Sequence, residues 1–265
     1  MTRPSVLVFA GLDPSGGAGI QADIQAISAA GVHPLPILTA LTVQDNEHVQ
    51  AVHPVEPDVL RAQAEVLIDA GIIIAAVKIG IVGSAANAQA IAGVIEGLRQ
   101  RQPDLPVVLD PVLASGHGDT LTRGDAVAAL APLRRLATVI TPNLPEAAAL
   151  CKDTLGDDAR AQALLVDAPH VLLKGGHGEG ATVVNRWYWK DGSDHGQRAW
   201  SWPRLPGGFH GSGCTLASAL AARLSQRKPM DEAIDDAQRW VQHALATAYS
   251  IATGQAIPNR LQEKT

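Results

Sequence analysis

The sequence predicts an α/β fold built on a mostly parallel sheet with helices on both faces, and three observations carry that expectation. Short apolar runs recur along the chain: Ser5 to Ala10, Ile72 to Ile79, VVLD at 107–110, TVIT at 138–141 and HVLLK at 170–174. Each is followed directly by Gly or Pro. Between them lie segments of helical character, the alternation expected of buried parallel strands joined by crossover helices.

Taken in order, the strand Ser5 to Ala10 runs into the Gly-rich turn GLDPSGGAG (11–19). Ile20, Ile24 and Ile27 then give a helix over Ala18 to Ala30 its apolar face. A β-rich stretch, Leu35 to Val43, precedes a helix from Pro57 to Ala70. The apolar run from Ile72 to Ile79 reads as a buried strand, and an Ala-rich helix follows over 84–102. Residues 181–203 differ in kind. There ATVVNRWYW and QRAWSWP flank the turn-forming KDGSDHG, which predicts an antiparallel hairpin at a sheet edge. Two helices, 212–226 and 230–253, end the pattern. Repeats, low-complexity segments and linkers are lacking, so one domain over 1–265 is expected.

Composition narrows the function classes. Apolar residues make up 46% and charged residues 18%, which is globular rather than disordered. The net charge is -5 with no basic cluster, and aromatic residues are only 3%, so a base-stacking platform for nucleic acid is not expected. No apolar run approaches the ~18 residues that span a bilayer. The stretch MTRPSVLVFAGLD has too short an apolar core for a signal peptide. Cys151 and Cys214 have no metal-ligand spacing, and the 9 histidines form no HExxH or Cys/His cluster. A cytoplasmic protein with reduced thiols is expected.

In a doubly wound sheet, ligands bind beyond the carboxyl ends of the strands. Those ends carry GLDPSGGAG, Gln44, Gly80, Asp110, Asn143 with Glu146, and KGGH (174–177). The first glycine turn is neither G-x-G-x-x-G nor a Walker motif, and it reads as a tight strand-to-helix turn or as part of a site. In GFHGSGCTLASALAARL (208–224), small residues at 211–213 precede an apolar helix, so free backbone N–H groups can converge on an anion. Phosphoryl transfer needs that apparatus, because its catalysis is mainly positioning and charge stabilisation. Cys214 falls in the first helical turn, which lowers a thiol pKa; a small packed Cys is the alternative. Asn143 and Glu146 make a capping box, or Glu146 joins Asp110 in holding Mg²⁺. Lys174 at its strand end is a surface Lys or a point charge for phosphate.

Seven segments, in order along nearly the whole chain, carry a resemblance. They are AGLDPSGGAGIQAD (10–23), TALTVQ (39–44), VKIGIV (77–82), VLDPV (108–112), ITPNLPEAAAL (140–150), LKGGH (173–177) and HGSGCTLASALAA (210–222). Together they resemble the hydroxymethylpyrimidine/phosphomethylpyrimidine kinases of the ribokinase-like superfamily. The resemblance implies a Rossmann-like three-layer α/β/α sandwich and two ATP-dependent steps of thiamin biosynthesis, alcohol to monophosphate and monophosphate to diphosphate. It implies Gln44 on the aminopyrimidine edge with Gly11 and Asp23 nearby. Asn143, Glu146 and Asp110 would organise MgATP, with Lys174 near the nucleotide phosphates. Gly211, Ser212, Gly213 and Cys214 would form the anion hole, with Cys214, where most of the superfamily has Asp, as base. Where the family reads close to M-V-A-K-S-G-D, this chain reads LASGHGD (113–119), with Gly116 at the Lys position and His117 at the Ser position, a departure that bears on the second step. The expected partner is a small molecule, not nucleic acid or membrane, and the expected assembly is a homodimer. The alternatives are a pyridoxal kinase of the same branch, a catalytically silent pyrimidine-binding protein and, on fold alone, a nicotinamide-dependent dehydrogenase.

Overall fold

The structure, a computed structural model, describes residues 3–113 and 124–261. In chain order the elements are β1 (Ser5–Leu12), α1 (Gly19–Ala29), β2 (His33–Gln44), β3 (Val49–Pro54), α2 (Pro57–Asp69), β4 (Ile74–Ile79), α3 (Ala85–Arg101) and β5 (Val107–Leu109). Then come α4 (Ala126–Ala129), α5 (Ala131–Leu136), β6 (Val139–Ile140), α6 (Leu144–Leu150), α7 (Asp157–Leu164), β7 (His170–Leu173), β8 (Thr182–Asp191), β9 (Asp194–Pro203), α8 (Ser212–Ser225) and α9 (Met230–Ala246).

The strands form one sheet in the order β3-β2-β1-β4-β5-β6-β7-β8-β9. The central six run parallel; β3 at one edge and the β8–β9 hairpin at the other are antiparallel. Burial on both faces explains the continuous apolar runs. Along β1, Leu7 and Phe9 join a core with Ile79, Leu109 and residues of α2 and α3. Val6, Val8 and Ala10 join the opposite core, with Ile20, Ile27, Leu220 and Ile234 of α1, α8 and α9. A third cluster packs α6 and α7 against Val171, Leu173 and Tyr188. With helices packed on both faces of the sheet, the three layers are helices, sheet and helices, as expected. Connections leave β1 toward β2 on one side, while β4 lies on the other, so the order reverses at β1 and a crevice opens beyond the strand ends there.

Two features depart from the periodicity. β3 was not expected: its burial is patchy along VQAVHP, and pairing with β2 makes it a strand. α9 ends at Ala246, not near 253. Tyr249 instead bridges Ile257, while Asn46 Nδ2 donates to Thr253 O at 2.7 Å. Tertiary hydrogen bonds take over the backbone that a longer helix would have used.

Candidate active site

A cavity of about 420 Å³ opens at the carboxyl ends of the parallel strands. Gly11, Gln44, Asp110, Asn143, Glu146, Lys174 and the turn Gly211, Ser212, Gly213, Cys214 all line it. Asp23 does not.

The first glycine turn is organised by Asp13, which is 2% exposed. Its Oδ1 accepts from Ser15 N at 2.9 Å and Ser15 Oγ at 2.8 Å; its Oδ2 accepts from Ala18 N at 2.7 Å and meets His210 Nε2 at 2.8 Å. Burial opposes the charge on Asp13, but hydrogen bonds from His210, Ser15 and Gln44 outweigh it and bring the carboxyl down to about 2. The resulting stability is in place above the ordinary value of 3.8 and is lost as pH falls toward 2. Asp13 thus ties the two glycine turns together.

A second tie is Arg260, 2% exposed. Its guanidinium donates to Gly17 O at 2.5 Å in the first turn, to Thr215 Oγ1 at 2.8 Å in α8 and to Gln25 Oε1 at 3.2 Å in α1. Thr215 Oγ1 in turn donates to Gly211 O at 2.7 Å. Sequence reasoning missed Arg260 and His210, since neither stands in a pattern that announces a buried partner.

Gly211 is the N-cap of α8, with φ 76°. The N–H groups of Ser212, Gly213 and Cys214 open the helix, where they have no intrahelical acceptor. The turn at a helix N-terminus is where the sequence places it, with those N–H groups free to meet an anion. The thiol expectation is corrected. Cys214 is 9% exposed, and burial pushes its thiol up to about 11, against the opposing influence of Lys78 and a hydrogen bond from Gly19 N–H. Desolvation outweighs the helix terminus, so the resting group is the thiol.

Asp23 needs a second correction. It is fully buried beneath the cavity, its Oδ2 at 2.8 Å from Lys78 Nζ and its Oδ1 accepting from Ser218 Oγ at 2.7 Å. Both oxygens are occupied by protein, so Asp23 supports the floor instead of meeting a ligand ring. Burial pushes its carboxyl up and Lys78 opposes this. Lys78, in β4, is held above the ordinary lysine value despite burial, chiefly by Asp23.

At the ends of β5, β6 and β7, Lys174 Nζ lies 2.6 Å from Asp110 Oδ1 and 3.9 Å from Glu146 Oε2. The capping box is present in full: Glu146 N donates to Asn143 Oδ1 at 2.8 Å, and Asn143 N donates to Glu146 Oε2 at 2.7 Å. Burial raises the Glu146 carboxyl well above the usual range, with Lys174 opposing and Asp110 adding to the rise. The cap uses Oε2, and Thr141 and Lys174 use Asp110 Oδ1. A second oxygen of each carboxylate thus remains among the described contacts. Such a pair fits a hydrated Mg²⁺, which takes one or two carboxylates and leaves its other positions to water and phosphate. Among the described residues no group of three or more His, Cys, Asp or Glu could hold a metal alone. Gly116 and His117 lie outside the described residues.

Beyond Lys174 the wall becomes apolar, with Val183, Trp202, Leu205, Val241 and Leu245. Arg204 gathers the loop there, donating to Gly176 O, Gly178 O and Gly180 O at 2.7–2.8 Å. Burial, then Lys174 and Arg204, lower the His177 pKa. Among the described residues no helix is long and apolar enough to cross a membrane.

Known proteins agree with this architecture. A Staphylococcus aureus pyridoxal kinase, solved with AMP-PCP and pyridoxal, is similar with TM-score 0.83 and 26% identity, over 98% of this chain and 94% of that one. The hydroxymethylpyrimidine/phosphomethylpyrimidine kinase of Rhizobium meliloti is 38% identical over 94% of this chain and 93% of its own length. The thiamine biosynthesis multifunctional protein ThiED of Corynebacterium efficiens is 39% identical over 96% of this chain, which spans 34% of that longer protein. The family described as phosphomethylpyrimidine kinase matches residues 13–259. With the three-layer sandwich, the paired glycine turns and the Asp110–Glu146–Lys174 cluster in place, the chain belongs to the phosphomethylpyrimidine kinase family.

Proposed function

We propose that this chain transfers the γ-phosphoryl group of ATP to the hydroxymethyl oxygen of 4-amino-5-hydroxymethyl-2-methylpyrimidine, and then a second phosphoryl group to the monophosphate. The observation that carries the reading is one cavity with Gln44 at one end, the Gly211–Cys214 turn and Lys174 between, and an apolar wall beyond. Gln44, its amide engaged by Asp13, meets the aminopyrimidine edge beside Gly11. Lys174 and the N–H groups of Ser212, Gly213 and Cys214 stabilise the transferring phosphoryl group, and Asn143 holds Glu146 in place through the capping box. Asp110 and Glu146 would hold Mg²⁺, which supplies charge neutralisation on the phosphates when bound. As the alcohol oxygen forms its bond to phosphorus and ADP leaves, Cys214 Sγ, in its thiolate form, the minor species of a thiol pushed up to about 11, takes the hydroxyl proton and returns to the thiol. The cytoplasm and a homodimer complete the reading, the latter tested by sedimentation equilibrium.

Counting phosphates on the product by mass spectrometry, with the alcohol and MgATP supplied, tests the function. Mono- and diphosphate are expected; pyrimidine binding without turnover would overturn it. Turnover on pyridoxal in the same assay separates the reading from the activity named for the solved relatives.

Gln44→Ala should raise KM for the aminopyrimidine about 10- to 100-fold, the ~1–3 kcal/mol of an unpaired buried polar group. The check is discrimination against the deaminated analogue, which the variant should lose. For Glu146→Gln, the cap and the metal role diverge. Gln closes a capping box, so thermal stability should hold. A metal-holding role predicts a steep fall in kcat and a raised Mg²⁺ requirement, and normal values of both would refute it.

A further inference from the structure

His210 immediately precedes Gly211, the N-cap of α8, and the protein holds its ring by one edge. Asp13 Oδ2 lies 2.8 Å from Nε2, and a Cβ at Gly17 would stand 2.2 Å from Cδ2. The Nε2–Cδ2 edge is thus packed against the first glycine turn. A carboxylate only accepts, and the Asp13 carboxyl is brought down to about 2, so Nε2 carries a hydrogen. The opposite edge differs. Nδ1 makes no hydrogen bond with a described residue, yet it is not one of the buried unpaired nitrogens. With the side chain 18% exposed and lining the cavity, Nδ1 is open to a ligand there. The main chain fixes the base of the ring: His210 N donates to Ala256 O at 2.9 Å, and its carbonyl accepts from the Arg260 guanidinium at 3.5 Å.

Charge decides what Nδ1 meets. In the proposed second transfer the acceptor is a phosphate ester, largely dianionic, brought up to the polyphosphate of ATP. Among the described residues that line the cavity, the side chains able to carry positive charge are Lys174, His177, Arg204 and His210. Lys174 is drawn to Asp110 and Glu146, and Arg204 is committed to three carbonyls. Burial and its cationic neighbours disfavour a charge on His177. Of the four, His210 is the one whose carboxylate partner also bonds Gln44. It therefore lies between the ring end of the cavity and the anion turn, where a phosphate on the hydroxymethyl carbon would come.

We propose that His210 is a substrate-contacting residue of the second transfer, its imidazolium donating Nδ1–H to a phosphate oxygen of the pyrimidine monophosphate while Asp13 holds the ring through Nε2–H. The alcohol brings no charge to this place, so the contact belongs to the second step. The inference rests on the two-step reading, and the experiment separates the two.

KM is measured separately for the alcohol and for the monophosphate at saturating MgATP, in wild type, His210→Gln and His210→Ala. Gln places an amide nitrogen near the Nε2 position and keeps the bond to Asp13, while nothing replaces Nδ1. In His210→Gln, KM for the monophosphate should rise about 10- to 100-fold, the loss of one charge-assisted hydrogen bond, with KM for the alcohol rising far less. His210→Ala should show the same imbalance together with an earlier melt, because it also frees Asp13. Equal rises of the two KM values in His210→Gln, or none, would reduce His210 to its tie with Asp13 and overturn the proposal while the kinase reading stands. A measurement on wild type needs no variant to fold. In a proton–nitrogen correlation spectrum of the histidine rings, the monophosphate should bring up a ring N–H signal that the alcohol does not, and its absence also overturns the contact. If wild type makes monophosphate but no diphosphate, the two-step reading fails, and this proposal with it.

Discussion

Replacing Cys214 by Ala is expected to slow phosphorylation of the alcohol about 10²- to 10⁴-fold, the range typical of general-base assistance. Formation of the diphosphate should suffer far less. The hydroxymethyl oxygen carries a proton that must leave as the bond to phosphorus forms, whereas a phosphate monoester is largely dianionic above its second pKa of about 6 and attacks without losing one. A packing role for Cys214 would lower both steps alike, so the ratio of the two rates is the discriminating measurement. The pH dependence follows from the buried thiol. With its pKa near 11, the thiolate is a minor species at neutral pH and grows tenfold with each pH unit. The kcat of the alcohol step should therefore rise with pH at near unit slope through the neutral and mildly alkaline range, and Cys214→Ala should lose that slope. Cys214→Ser keeps the volume without an ionisable group near that range and should behave like Ala. Wild-type kcat and pH profile in Cys214→Ser would reduce the residue to its backbone N–H and its volume.

The second large effect is expected at Gly211. Its φ of 76° is left-handed, and a Cβ there would stand 2.1 Å from Gly17 O and 2.8 Å from Ala18 Cα, both backbone atoms. Gly17 O cannot retreat freely, because the Arg260 guanidinium holds it. Gly211→Ala must then push the two glycine turns apart and tilt the N–H groups that open α8. Loss of one preorganised oxyanion donor costs about 10²- to 10³-fold in kcat, and displacement of three should reach or exceed the upper figure. Gly16→Ala is the control. Gly16 has φ 74°, yet nothing lies within 4 Å of its would-be Cβ. Only the left-handed strain of about 1–3 kcal/mol remains there, so Gly16→Ala should melt earlier with kcat nearly unchanged. Equal kcat in the two variants would show that the contact between the turns does not hold the anion site.

Much of this architecture was legible because its causes are local. Two-sided burial wrote the apolar runs of β1 and β4, and the turn signal KDGSDHG flanked by aromatic stretches announced the β8–β9 hairpin. The capping box of α6 and the glycine turn before α8 are carried by neighbours in the chain. Site residues at the strand ends, Gln44, Asp110 and Lys174 among them, followed from the topology once alternation was recognised. The family resemblance then supplied their expected roles.

What only the tertiary structure decided involves partners far apart in sequence or the dielectric around a group. Asp13 meets His210 across 197 positions, and Arg260 reaches Gly17 across 243. No periodicity encodes such pairs. Asp23 resembled a ligand-facing carboxylate, but folding sets it against Lys78 and Ser218 where no ligand arrives. Cys214 stood where a helix terminus favours the thiolate, yet the packing of α8 removes water from the sulfur, and desolvation reverses the direction. The alternation of side chains determined which residues reach the cavity; burial and long-range hydrogen bonds decided their charge, orientation and company.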